Sequence, residues 1–444
     1  MKKDLTKGKV QKALLLFAAP MILGNLLQQC YNIVDTIIVG RFLGAGALAA
    51  VGAAYSLMTF LTSVIIGLCM GSGAVFSFYF GKKDIQKMKE SMAASFTFIG
   101  TITIVINVMV FQYLDEILVL LQIPLEVMDF MREYTEIIFC GKFFVFLFNY
   151  FSFVLRSIGN SVVPVFFLGI STVINVILDI WFIVGLDMGI AGAAKATIIA
   201  QIFAGTGFGI YRWIKEPVLR IKAEGDHGID LKNCMHLFPE VIRHSFGASI
   251  QQSVMNFGIL MIQGLVNSFG TAVMAAFAAA VKIDSIAYMP SQEYANAYSL
   301  FVSQNRGAGE YERVRQGTKE SMKMSVIFSV AVSLVICVFA KYLMMVFVNP
   351  SETDIIKIGV GYLRIEGAFY LGIGLLFLLY GYYRGIGKPE MSLVLTVISL
   401  GTRVLLAYSL SPMLGVKMIW WAIPIGWFLA DVTGMIFMKR YQIK

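Results

Sequence analysis

Apolar residues run along this chain in long blocks separated mostly by short polar turns. About 20 consecutive apolar residues span the ~30 Å of a bilayer's hydrocarbon core. Twelve blocks reach that length, at approximately 13–40, 50–80, 91–114, 134–156, 161–185, 190–213, 240–268, 273–303, 322–348, 358–383, 391–412 and 417–438. Each predicts a membrane-spanning helix. The longest polar stretch, 214–239, carries Pro217, Gly225, Gly228, His227 and His236 and reads as a solvated linker. It divides the chain into a six-span lobe over 1–213, a cytoplasmic linker over 214–239 and a second six-span lobe over 240–444.

The two lobes repeat one another. Gly44-Ala45-Gly46-Ala47-Leu48-Ala49-Ala50 recurs as Gly270-Thr271-Ala272-Val273-Met274-Ala275-Ala276, about 226 residues later. Gly81 matches Gly307 at the same offset. Arg156-Ser157-Ile158-Gly159 recurs as Arg384-Gly385-Ile386-Gly387, two residues further on. Three anchors in one order indicate a duplicated membrane unit. An even number of spans per copy gives both copies the same orientation, related by an axis along the membrane normal. The expected fold is therefore an all-α membrane protein of twelve transmembrane helices in two six-helix lobes with a pseudo-two-fold along that normal. Small-residue pairs such as Gly67–Gly71 and Gly205–Gly209 predict close helix approach.

Composition agrees: 58% of the 444 residues are hydrophobic, 14% are charged and the mean hydropathy is +0.76. Orientation follows from Lys and Arg, which concentrate on the cytoplasmic side. With a cytoplasmic N-terminus, the inner segments hold 26 of the 36 basic residues. The reading is a multi-pass plasma-membrane protein with both termini cytoplasmic, its first span retained rather than cleaved. The net charge of +9 sits where anionic lipid heads lie, so it does not imply nucleic-acid binding. The five cysteines have neither metal nor disulfide spacing, and read as small packing residues.

Ionisable groups inside spans cost about 2.5–3.5 kcal/mol each on insertion scales, which marks them as functional suspects. Asp35 lies in the first span and Asp179 in the fifth, each six residues before its outer end. At 1.5 Å per residue both carboxylates sit ~9 Å below that end. Asn175 is one turn below Asp179 on the same face, and Thr197 enters at a similar depth on the sixth span. An all-oxygen cluster with two carboxylates suits a hard cation and equally a shared proton. The matching positions of the second lobe are Met261, Arg403, Ala407 and Ile425, so the second copy lacks the cluster. Lys195, two residues before Thr197, is placed to neutralise Asp179 or Asp187. In the second lobe Glu293, mid-way along the eighth span, and the mid-span Arg403 are candidates for the substrate cavity. Lys282 and Asp284, two apart, point to different faces of the eighth span. Glu366 and Arg364 lie near the outer end of the tenth span, where snorkelling is expected. Pro20 removes a backbone hydrogen bond inside the first span, making it a candidate hinge.

No GxxxxGK[ST], HExxH or GxSxG pattern is present, so neither nucleotide hydrolysis by a phosphate loop nor an intramembrane enzyme is expected. Gln28-Gln29-Cys30-Tyr31-Asn32-Ile33-Val34-Asp35-Thr36-Ile37-Ile38-Val39-Gly40-Arg41 resembles the first-span motif of multidrug and toxic compound extrusion (MATE) transporters. Arg156-Ser157-Ile158-Gly159-Asn160, Asn175-Val176-Ile177-Leu178-Asp179 and Gly189-Ile190-Ala191-Gly192-Ala193-Ala194-Lys195-Ala196-Thr197 resemble that family's fourth-to-sixth-span signature. Gln304-Asn305-Arg306-Gly307-Ala308-Gly309 resembles its loop after the eighth span. The match covers essentially the whole chain and is closest to the DinF-like branch.

This resemblance implies two lobes forming a V and antiport of lipophilic organic cations. It also implies that Asp35, Asn175, Asp179 and Thr197 line a cation site in the first lobe, with Gln28 and Tyr31 nearby. The NorM-like branch is expected to carry acidic residues in its seventh and tenth spans. Here the seventh offers only Gln251 and Gln252, candidates for the substrate cavity, and the tenth only Glu366. That departure from the NorM-like pattern counts against a sodium site in the second lobe. The expected function is a monomeric drug/proton antiporter working by alternating access, with sodium coupling as a close variant. It would need no cofactor, metal or ATP beyond the coupling ion. An aromatic content of 13% fits a cavity that stacks flat cations. A flippase for lipid-linked saccharides is a second expectation, and a non-transporting membrane scaffold or receptor a third.

Overall fold

The computed structural model describes residues 4–120, 125–216 and 231–440, and these contain helices and no strands. Each predicted apolar block becomes a helix or a pair of helices. The first three are α1 (Val10–Phe42), α2 (Gly44–Gly81) and α3 (Ile85–Gln112). The short α4 (Leu114–Leu120) precedes α5 (Leu125–Cys140) and α6 (Lys142–Ser157). Next come α7 (Val162–Ile180), which continues into one π-helical turn over Trp181–Gly185, and α8 (Gly189–Lys215). The second copy opens with α9 (Leu231–Asn267), α10 (Thr271–Gly307) and α11 (Tyr311–Phe347). It ends with α12 (Thr353–Gly367), α13 (Tyr370–Gly385), α14 (Pro389–Leu414) and α15 (Lys417–Arg440).

Among the described residues, nine helices are long and apolar enough to cross a membrane, and two bent pairs bring the count to as many as eleven. Besides the seven-residue α4, the helix that falls outside this count is α9, over the seventh predicted span. Its side chains include Gln251, Gln252, Asn256 and Gln263. The bent pairs are the fourth and tenth spans, turned by 47° between α5 and α6 and by 52° between α12 and α13. Neither break contains a proline. By contrast α1 runs through Pro20 as one helix.

The duplication recurs in backbone geometry. Positive φ angles mark Gly44 and Gly270 where the second helix of each copy begins, and Gly159 and Gly387 after the bent span. Lys83 and Gly309 share the left-handed region in the intervening turn, with φ of 62° and 76°.

The chain forms two compact units whose borders differ from the sequence expectation. One contains Leu23–Ser249; the other contains Leu5–Ile22 together with Ile250–Lys444. Residues 5–22 thus leave the first lobe, and 240–249 leave the second. Burial supplies the reason. Leu5, Leu14, Phe17 and Met21 bury in one core with Phe277, Phe301 and Leu376, whereas Val241 and Ala248 bury with Ile65, Leu68 and Phe76. Gly67 and Gly71 permit that second contact. A methyl on Gly67 would stand 2.5 Å from Ser249 Cα, so α2 and α9 meet backbone to backbone. Ser72 and Ser245 share a 2.7 Å hydrogen bond at this crossing.

The 217–230 part of the expected linker, with His227, lies outside the described residues. Residues 231–239 form the start of α9. Ahead of α1, the chain is pinned within the second unit. The Leu5 N–H donates to Gln304 Oε1 at 3.0 Å and Asn305 Nδ2 donates to the Leu5 carbonyl at 3.2 Å. Arg313 donates to the carbonyls of Leu5, Lys7 and Gly8 at 3.1, 2.7 and 2.6 Å. The Gln304-Asn305 pair therefore holds the chain ahead of α1.

Candidate functional site

Three of the four residues expected at a cation site lie on α7 and α8, which pack along one another; the fourth is on α1. Asn175 and Asp179 are four apart on α7 and so share a face. Both are buried, and Thr197 from α8 is 7% exposed. Asp35, on α1, is half-buried, and its carboxyl lies within hydrogen-bonding reach of the Asp179 carboxyl. Oδ1 of each aspartate is buried without a hydrogen-bond partner among the described residues.

Asn175 bridges the cluster. Its amide is satisfied at both ends when the nitrogen donates to Asp179 Oδ2 at 2.9 Å and the oxygen accepts from the Thr197 backbone N–H at 3.3 Å. The Thr197 hydroxyl shares a 3.4 Å hydrogen bond with Tyr31, which lies one turn before Asp35 on α1. The four expected residues and Tyr31 are thus brought together. Directly after Asp179 the chain widens into its π-helical turn, where the Leu186 N–H reaches back five residues to the Trp181 carbonyl at 2.9 Å. Such turns are often found at functional sites.

Two expected neighbours make no hydrogen bond with the cluster's polar atoms among the described residues. Gln28 is half-buried on α1, seven residues before Asp35 and so on the same helix face. Lys195 is exposed, as is Asp187, and it does not neutralise Asp179. Two residues along a helix correspond to about 200° of rotation, so a side chain two before the inward-facing Thr197 points the other way. A residue absent from the sequence expectation joins instead. Tyr134, on α5, is buried close enough to Asp35, Asp179 and Tyr31 to feel their charge. An aromatic residue in an apolar block carries no sequence signal for such a role.

Two carboxyls this close repel when both are ionised, so the arrangement suits a shared proton or a cation. Among the described residues no group of three or more His, Cys, Asp or Glu side chains gathers as a metal site.

The second unit does not assemble its candidates into one cavity. Glu293 accepts from Asn296 Nδ2 at 3.3 Å, and Asn296 Oδ1 accepts from Arg384 Nη2 at 3.1 Å. Arg384 also donates to Ser299 Oγ at 3.1 Å, so Glu293 belongs to a network that ties α10 to the end of α13. Gln251 is buried and Gln252 half-buried on α9. Arg403 lies elsewhere, facing Asp284 and Glu366. Glu366 does not snorkel: it is 3% exposed, while Arg364 is exposed. Its position on α12 turns it inward toward α10, where Asp284 is 4% exposed and Lys282 faces out. The positions matching the first site are indeed vacant of acids, but a carboxyl pair stands on different helices.

Long apolar helices in two compact units, with polar clusters enclosed among them, define a multi-span membrane protein. The MatE family model matches residues 20–181 and again 247–409, and the chain belongs to that family. It is 31% identical to the probable multidrug resistance protein YpnP of Bacillus subtilis, over 89% of this chain and 87% of that protein. It is 21% identical to the multidrug export protein MepA of Staphylococcus aureus, over 97% of this chain and 94% of that one. An outward-facing multidrug resistance MATE family transporter of the MOP superfamily shares the fold, with a TM-score of 0.89 at 22% identity over 98% and 96% of the two chains. The twofold match of the family model follows the duplication read from the anchors.

Proposed function

We propose that this chain is a secondary active multidrug efflux antiporter of the plasma membrane, exchanging lipophilic organic cations for protons by alternating access. The observation that carries the reading is the contact between Asp35 and Asp179, enclosed with Asn175, Thr197, Tyr31 and Tyr134 among apolar helices. A carboxyl pair in contact holds one proton readily and gives it up when a cation competes for its charge. Exchange follows when proton and substrate favour different states of the carrier. The names of YpnP and MepA support multidrug substrates, and the basic residues of the predicted inner loops support cytoplasmic termini. The protein acts as a monomer, without ATP, a metal or another cofactor.

The test is efflux of a fluorescent lipophilic cation from liposomes holding the purified protein, driven separately by a pH gradient and by a sodium gradient. Efflux driven by pH and abolished by Asp35→Asn or Asp179→Asn is the expected result. Efflux driven by sodium alone would reassign the coupling ion. No gradient-driven efflux across several cations would overturn the antiport reading.

A further inference from the structure

A lysine lies buried in the first unit with no acid beside it. Lys142, the first residue of α6, is 2% exposed, whereas lysine is almost never fully buried unless paired. It follows the Gly141 break, where the fourth span turns by 47°, and it reaches α2, which packs against both α5 and α6. Its amine shares a 2.7 Å hydrogen bond with Thr62 Oγ1 and lies 3.8 Å from Met58 Sδ, one turn along α2. It also stands over the Phe139 ring of α5, 5.3 Å from the ring centre. Among the described residues it closes no ion pair.

The helices packed on α6 bring no counter-charge to it among the described residues. On α2 there is no acidic or basic residue. On α5, Asp129, Glu133 and Glu136 are exposed and Arg132 pairs with Asp115. On α7, Asp179 turns toward Asp35, and on α3, Glu90 takes the amides of Gln86 and Asn233. On α8, Lys195 is exposed and Arg212 lies over the Phe151 ring. The repeat offers a contrast. At the offsets of the anchors, Met58 and Lys142 correspond to Asp284 and Tyr370, so the copy with an acid at the first position has no amine at the second.

Hydrogen-bond counting separates the two charge states of the amine. An ammonium carries three donors and no acceptor. Here it would meet one hydroxyl oxygen and a thioether sulfur, which accepts weakly. The Phe139 carbonyl at the break already accepts from Asn107 Nδ2 at 3.0 Å. An uncharged amine has one donor fewer and a lone pair, and the Thr62 hydroxyl can turn to donate to it. Unpaired charge in an apolar interior is costly, and the Phe139 ring face offsets only part of that cost. The site thus fits the uncharged amine when dry and tolerates the charged one once water is present.

We propose that the Lys142 amine is a proton-binding site of the first unit, separate from Asp35 and Asp179, uncharged while the fourth-span bend is closed on α2 and protonated when water reaches it. Taking up the proton leaves two ammonium donors that Thr62 does not satisfy. Water must supply their acceptors, so protonation loosens α6 from α2. The closed bend binds fewer protons than the opened one, and it therefore gains stability as pH rises.

The assignment stands on the buried amine and does not depend on the antiport reading. It is tested by nitrogen-15 NMR of the full chain in liposomes, labelled at the lysine side-chain nitrogens. The titration runs from about pH 5 to about pH 10, below the ordinary lysine value of about 10.4. At neutral pH the wild type should show one amine signal apart from the ammonium signals, and acidification should move it among them. Lys142→Met should lose that signal alone. Thr62→Val, which keeps the lysine, should shift the signal without removing it, which guards against a Lys142→Met protein that fails to fold. Asp35→Asn/Asp179→Asn should leave it in place, and its disappearance there would overturn a separate site. Ammonium signals from every lysine at neutral pH would overturn the uncharged amine. A neutral signal that stays put down to about pH 5 would overturn the exchangeable proton. A Lys142 ammonium signal that shifts saturably with chloride would make an anion the ligand in place of the proton's release.

Discussion

Gly71→Ala is a sharp test of the first unit's packing, because the residues it meets are backbone. A Cβ at Gly71 would stand 2.6 Å from Ser245 Cα and closer still to the His244 carbonyl oxygen. Carbon atoms rest about 3.5–4.0 Å apart, so α9 must retreat from α2 by about 1 Å. That retreat stretches the 2.7 Å Ser72–Ser245 hydrogen bond beyond useful length. Overpacking costs about 1–3 kcal/mol, and the lost hydrogen bond adds about 0.5–1.5 kcal/mol. The expected destabilisation is therefore about 2–4 kcal/mol. Gly169→Ala on α7 is the control, since a methyl there meets nothing within 4 Å. Alanine is the better helix former by about 1 kcal/mol, so that variant should match or exceed wild type. The assay is the monodisperse fraction surviving a heating series in detergent, read by size-exclusion chromatography. A Gly71→Ala protein that melts with wild type would refute the backbone contact. Equal losses in both variants would show that any added methyl is harmful and that the geometry has no special role.

Three further outcomes are expected. Thr197→Val keeps the shape but removes the hydroxyl bonded to Tyr31, and should weaken apparent affinity for the coupling ion about tenfold, from about 1.4 kcal/mol of lost hydrogen bonding; an unchanged ion dependence of efflux would remove Thr197 from the site. Lys195→Gln should leave efflux within about twofold, since surface substitutions of this kind cost little; a tenfold loss would contradict its outward placement. Arg313→Ala removes three hydrogen bonds to the carbonyls of residues 5, 7 and 8 and should make the segment before α1 markedly more sensitive to limited proteolysis, with protection equal to wild type as the contrary result.

Much of the fold is legible in the sequence because lipid imposes a coarse rule: about 20 apolar residues make a span, and few ionisable residues are tolerated inside it. Asp35, Asn175, Asp179 and Thr197 stand out for that reason, and the structure brings them together. Tyr134 does not stand out, because a tyrosine in an apolar run is an ordinary residue until its neighbours are known. Glu366 was misplaced for a related reason. Near the end of a span, linear position allows either snorkelling or burial, and only the packing of α12 against α10 decides. Lys195 shows the reverse error: closeness in sequence to Thr197 suggested closeness to Asp179, but helical rotation places it on the opposite face. The bends were equally hidden. Proline was the available signal, yet α1 passes Pro20 unbroken and the fourth and tenth spans turn at Gly141 and at Ala368-Phe369.

The division of α1 between the two units has a consequence for how the chain is made. Leu14, Phe17 and Met21 bury against Phe277, Phe301 and Leu376, whose codons lie far downstream. At about 5–20 residues per second, the ribosome delivers these partners on the order of tens of seconds after the first helix has emerged. During that interval half of α1 has its native neighbours within reach and half does not. Synthesis that stops before α10 leaves Leu14, Phe17 and Met21 facing lipid or a chaperone. The opening helix is thus among the first to be inserted and among the last to be fully packed.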